Sequence, residues 1–373
     1  MQNRNSATLA RAVRNALLGS GSALALLAAS APAQALDVEV GGYIKADFIY
    51  DFDQDLGDTL SASSVATGDT ESDPSFRAHA KQTRFNLSAS NDDYSIRFEA
   101  DLFTGDGNEL VSNSRHLRLR HAYAQAGKLL IGQTWSTFMD KRFIAYPSTV
   151  DFAGPAGVTF VRQTQIRYAP GNGFEVALEN PETRILGETA RDTTPDLVAR
   201  YDHSGDRVNW FIAGVLRQFE VAGGANDGES TSDGGINLGV SFNLGGDTLA
   251  ANAVVNGGRY TYYGFANPEA VIDNGSLETV DEVGLQIFYE HNWGGPMAAK
   301  TLISYGMVTF DDEHQAILGA NAPEEIGTFH INYRWSPYQN VNYGIELSSA
   351  TREDFSGEDG DATRLQFGAQ YVF

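Results

Sequence analysis

Apolar residues fall on every second position over much of this chain, and nowhere more plainly than at its end. Leu365, Phe367, Ala369, Tyr371 and Phe373 alternate with Arg364, Gln366, Gly368 and Gln370. Because a strand turns successive side chains to opposite sides, a period of two gives one apolar and one polar face. The pattern recurs in sixteen segments, near 38–51, 80–90, 93–104, 115–125, 128–134, 160–169, 173–180, 195–203, 207–218, 234–244, 247–256, 281–292, 297–308, 325–335, 339–349 and 361–373. Short turns, among them Asn91-Asp92, Ala126-Gly127, Gly245-Gly246 and Gly294-Gly295, alternate with eight longer, mostly polar connections. Sixteen up-and-down strands with both ends on one side of a membrane require this alternation. The summed apolar faces exceed what a soluble protein exposes; a closed cylinder in lipid hides them and pairs every backbone group. The pattern therefore predicts an all-β fold, a 16-stranded antiparallel up-and-down transmembrane β-barrel over residues 36–373.

Parity assigns the faces. Phe85, Leu87 and Ala89, then Tyr94, Ile96 and Phe98, then Ile236, Leu238, Val240 and Phe242 are outward sets. Tyr201, Tyr305, Tyr333 and Trp335, near strand ends, suit the interfacial aromatic girdles. His121 breaks the rule, since it shares parity with Leu117, Leu119 and Tyr123. On a lipid face only a protein contact would shelter it, so the first five strands are a candidate subunit interface. A one-residue slip would turn it inward. Tyr371 and Phe373, closing the last strand, are read as the signal for the outer-membrane barrel assembly machinery.

Residues 1–35 carry Arg4, Arg11 and Arg14, an apolar stretch from Ala16 to Ala29, and Ala33-Gln34-Ala35. This is the layout of a cleaved secretory leader. Removing three of the 26 basic residues and none of the 48 acidic ones takes the net charge from −22 to about −25. So acidic a chain is a poor partner for nucleic acid. The lack of cysteine removes disulfides, thiol catalysis and thiolate metal sites.

Against this acidity, one region is basic. From Leu110 to Tyr168 eight Lys and Arg oppose only Asp140 and Asp151. The same region contains the connection Trp135–Thr159, WSTFMDKRFIAYPSTVDFAGPAGVT, far more apolar than the other long ones. A loop of that composition folds against something: either the lumen, where it would narrow the channel, or a barrel edge or neighbouring subunit. Parity turns Arg84, Arg97, Arg118, Arg120 and Arg167 inward, and Lys141 and Arg142 lie on the loop itself. These seven are the expected pore constriction and substrate path. Guanidinium groups stay charged when partly dehydrated and match carboxylates, so such a ring selects small organic anions. The competing reading pairs them with lumenal Glu99, Asp101, Glu175, Glu179, Asp202, Glu290 and Glu346.

Other chemistry is poorly supported. Asp51-Phe52-Asp53-Gln54-Asp55-Leu56-Gly57-Asp58 resembles a calcium loop but lacks its twelfth-position Glu, and reads as a solvated acidic loop. The seven histidines show no metalloprotease spacing, so no metal site or cofactor is expected. No Gly-x-Ser-x-Gly elbow occurs. A barrel enzyme such as a lipase is the remote alternative. A general, weakly cation-preferring pore is the nearer one, favoured by the overall charge.

The stretches GGYIKADFIYDF, RHAYAQAGKLLIGQTWSTF and YPSTVDFAGPAGVTFVRQTQIRY, with the closing QFGAQYVF, resemble the DcaP-like porins over nearly the whole chain after the leader. The resemblance implies a trimeric barrel that takes up dicarboxylates and related anions, with Trp135–Thr159 as its inward-folded constriction loop. Members can carry a coiled coil ahead of the barrel. Here no heptads precede the first strand, so a homotrimer would be held by the barrel walls alone.

Overall fold

The computed structural model describes residues 36–373 except 70, 105–106, 109–113 and 147. The expected leader over 1–35 lies outside the described residues. Sixteen wall strands follow: β1 (Asp37–Asp51), β2 (in two segments, Ser75–His79 and Arg84–Ser90), β3 (Tyr94–Asp101), β4 (Arg118–Ala126), β5 (Leu129–Trp135), β6 (Arg162–Gly171), β7 (Phe174–Glu179) and β8 (Asp196–Ser204). The second half contributes β9 (Val208–Glu220), β10 (Ser230–Asn243), β11 (Thr248–Val255), β12 (Glu282–Gly294), β13 (Ala299–Phe310), β14 (Pro323–Tyr338), β15 (Val341–Asp354) and β16 (Asp359–Val372). Each pairs antiparallel with the next, and β16 returns to β1, with Tyr43 opposite Val372 and Asp51 opposite Arg364. That last pairing closes the cylinder and removes its edges.

Ile96, Phe98, Ile131, Ile166, Ile212, Leu238, Ile287 and Ile345 are among the large apolar side chains exposed on the outer face. A water-soluble protein would bury these residues; on a barrel they form the lipid-facing belt. Trp210, Tyr305, Tyr333 and Tyr371 are exposed with them.

One departure from parity corrects an expectation. Between β3 and β4 the register steps from Glu99 opposite His121 to Ala100 opposite Leu119, leaving Arg120 as an extra residue. Such a bulge reverses the facing beyond it. Leu119 stays outward, but Arg120 and His121 both turn inward, and His121 Nδ1 lies 3.0 Å from Thr134 Oγ1. His121 is therefore not a polar ring on the lipid face, and it gives no reason to place a subunit contact there.

The acidic segment after β1 is also not a solvated loop. Leu56 and Leu60 are buried beside Tyr263 and Val308, in an apolar cluster that joins several long connections. Asp51 is buried and accepts 2.7 and 2.9 Å bonds from Arg364, while Asp58 pairs with Arg77 and Lys81. Asp51 and Asp58 thus meet guanidinium and ammonium groups, while Asp55, paired with Arg77, stays exposed.

Candidate functional site

The connection from β5 to β6 runs against the inward side chains of the far walls. Glu179 accepts the Thr137 amide at 2.7 Å, and Asn237 donates to the Phe138 carbonyl at 2.7 Å. Ser148 donates to Glu290 at 2.7 Å. Glu346 accepts the amides of Val150 and Asp151 at 2.8 and 3.0 Å, and Thr328 accepts that of Ala156 at 2.7 Å. Backbone groups that a free loop would give to water are thus taken up by β7, β10, β14 and β15, and a loop hydroxyl by β12. Phe138 and Phe143 are fully buried, the latter tilted against Phe211 at 4.9 Å between ring centres.

Space for this crossing comes from glycine. A Cβ at Gly239 would collide with Phe143, at Gly284 with the Gly157 carbonyl, at Gly306 with the Ala156 carbonyl, and at Gly344 with Val150. Glycine weakens a strand interior and marks close approach by another backbone. Those positions trace the route of the loop across four strands. Gly157 itself has φ +71°, and a side chain there would meet the Met307 carbonyl.

On the near wall the loop leaves a cavity of about 410 Å³ lined by Arg84, Arg97, Glu99, Arg120, Lys141 and Tyr146, among others. Four cations and one carboxylate line it. Glu99 receives Arg97 at 2.8 Å and Arg120 at 2.9 Å, with Arg84 at 3.4 Å. Three guanidiniums on one carboxylate leave positive charge uncompensated. The Tyr146 phenol registers that field: burial pushes its pKa up, yet Arg84, Arg120 and Arg162 outweigh burial and hold it below the ordinary value.

The other expected residues stand elsewhere. Arg118 is clamped by Asp101 through bonds of 2.9 and 2.8 Å. Arg142 is held by Asp140 and by Asp202 at 3.2 Å, and Arg167 by Gln165 and by Glu175 at 3.5 Å. Arg120, almost fully buried, joins Glu99 and Asp101 and is the most rigidly held of the cavity's charges. Arg97, with 36% of its side chain exposed, and exposed Lys141 are the accessible ones.

Arg162 was not among the expected path residues. Its guanidinium lies 4.4 Å from the Trp135 ring centre, and its Nη1 has no hydrogen-bond partner among the described residues. The two residues are register partners where the loop leaves the wall. The missed signal was that Trp135 and Arg162 bracket the insertion.

A second cavity of about 390 Å³ is lined by Lys45, Lys300 and Arg334 with Thr149 and Val150 of the loop. Here Glu290 takes both Lys300 and Arg334, and Lys45 meets Asp47 at 3.1 Å and the Val150 carbonyl at 2.7 Å. Three cations and no carboxylate line this cavity, but each cation is held by a carboxylate just behind the lining.

Comparison with known proteins adds to this geometry. The family model described as DcaP outer membrane protein matches residues 25–373. The chain is similar to the outer membrane channel DcaP of Acinetobacter baumannii, with 24% identity and a TM-score of 0.81 over 93% of this chain and 100% of that one. It is similar to an anion-selective porin from Comamonas acidovorans, with 13% identity and a TM-score of 0.59 over 91% and 100%. The trimer form of OmpT of Vibrio cholerae gives 11% identity and a TM-score of 0.54 over 91% and 100%. No curated protein sequence matches.

Proposed function

The chain belongs to the DcaP outer membrane protein family, whose fold is that of outer-membrane porins, and from this premise we propose a passive diffusion channel that prefers small anionic organic solutes such as dicarboxylates. The observation that carries the reading is the cavity where four cations face a single carboxylate. A solute carboxylate entering it would meet Arg97 and Lys141 first, with Arg84 and buried Arg120 behind them. Arginine presents a planar donor fork that matches a carboxylate, and Lys141 adds a mobile point charge. Conduction needs attraction weak enough for release, and the Glu99 carboxylate shared by three guanidiniums moderates it. The β5–β6 connection serves as the constriction, because it divides the interior beside this charge. Arg118, Arg142 and Arg167 act in this reading as supports held by their own carboxylates. The assembly we propose is a homotrimer in outer-membrane lipid, supported by the trimer form of the similar Vibrio cholerae outer membrane protein.

Reversal potentials under a salt gradient in planar bilayers test the reading. The wild-type channel is expected to favour anions, and the double substitution Arg97→Gln, Lys141→Gln to lower the anion-to-cation ratio several-fold. Cation preference in the wild type, in line with the net charge of −22, would replace this reading with that of a general porin. An unchanged ratio in the variant would remove these two residues from the path.

A further inference from the structure

At the end of the barrel that bears the long connections, two of them meet around an acidic recess of about 270 Å³. One is a hairpin inserted between β11 and β12, in which Ala270–Asp273 pairs with Ser276–Thr279. Its turn is Asn274-Gly275, both at positive φ, as a tight two-residue hairpin turn requires. Asp273 lies opposite Ser276 and Val271 opposite Glu278, so Asp273 and Glu278 are diagonal neighbours on one face. The other connection follows β13 and brings His314, at the start of a short helix (Gln315–Leu318), against that face.

The donor atoms of Asp273, Glu278 and His314 all lie within 4.8 Å of one another. His314 Nε2 is 3.8 Å from Glu278 Oε2, a spacing two ligands of one ion at about 2.0–2.1 Å can adopt. Asp281, Asp311 and Glu313 also line the recess, and no Lys or Arg does. An acidic cluster alone would mean little on a polar loop. The imidazole is the second, independent observation. His314 is only 5% exposed, it lines the recess, and its Nδ1 is buried without a hydrogen-bond partner among the described residues. A buried imidazole without a hydrogen bond is costly unless something else meets the ring.

We propose that Asp273, Glu278 and His314 bind a divalent transition-metal ion of the zinc type, which ties the 270–279 hairpin to the connection after β13. One nitrogen and two carboxylate ligands suit zinc, whereas calcium and magnesium prefer all-oxygen shells. The local spacing of histidines in the sequence could not reveal the site, because its ligands come from two loops 36 residues apart and meet only when β12 and β13 pair.

Equilibrium dialysis of the detergent-purified, EDTA-stripped full chain against micromolar zinc chloride, with metal quantified by mass spectrometry, decides whether the site exists. One zinc per chain is expected, with calcium chloride at the same concentration giving none. His314→Gln and Glu278→Gln are each expected to weaken zinc binding by at least about tenfold, with far-ultraviolet circular dichroism confirming an intact barrel. Wild-type protein that retains no zinc overturns the proposal without reference to any variant. Calcium uptake in place of zinc, or zinc affinity that is equal in wild type and folded His314→Gln, overturns it too.

Discussion

The wall from β2 to β6 and the wall from β12 to β16 both turn charged groups inward, yet the two use them differently. On the first, Glu99 is surrounded by Arg84, Arg97 and Arg120, and positive charge is left over beside an open cavity. On the second, Glu346 is fully buried, and its oxygens accept the amides of Val150 and Asp151 and the side-chain amide of Asn332. Glu290 there pairs with Lys300 and Arg334 while also holding Ser148. A carboxylate crowded by cations shapes a field for something that passes; one crowded by amides holds a piece of chain in place. In the proposed reading, the difference separates a face along the solute path from a face that supports the loop, within one ring of strands.

Three substitutions press on that division. The largest effect is expected from Glu346→Ala, which strands two loop amides away from water, each at a cost of about 1–3 kcal/mol. Single-channel recordings should then show larger and noisier conductance, and urea unfolding a lower midpoint; a quiet channel of wild-type size would mean that Glu346 does not hold the loop. Next comes Gly284→Ala, whose methyl group would collide with the Gly157 carbonyl. Overpacking of this kind costs about 1–3 kcal/mol, and a modest conductance increase with selectivity unchanged is expected. The smallest is Glu290→Gln, which should release Lys300 and Arg334 into the second cavity and raise anion preference slightly. An unchanged anion preference would show that this wall does not contribute to the path's electrostatics.

The strands were legible because lipid on one side and polar groups on the other impose a strict period of two. The joining of Arg84, Arg97 and Arg120 was also legible, since β2, β3 and β4 are consecutive and their inward parity could be counted. His121 was misplaced because a single extra residue in one strand leaves no mark on the pattern it shifts. Arg142 could not be separated from the path, as its capture by Asp202 depends on how the loop crosses the lumen, whereas Arg167 and Glu175 sit on the adjacent strands β6 and β7 and their pairing was among the expected alternatives. The acidic run after β1 looked solvated for a similar reason. Its partner Arg364 lies at the opposite end of the chain and reaches Asp51 only through closure.

The glycines of β10, β12, β13 and β15 have a consequence for how such a pore would change over time. The bore is set by what the staves lack as much as by what the insert contains, like a lock whose wards are cut into the case. Exchanging the insert for one of another shape would misfit unless those four notches moved with it. Buried Asp151 belongs to that seat, since it pairs with Arg364, whereas exposed Lys141 can vary without disturbing it, so the charge beside the cavity is free to drift while the aperture stays where the wall has cut it.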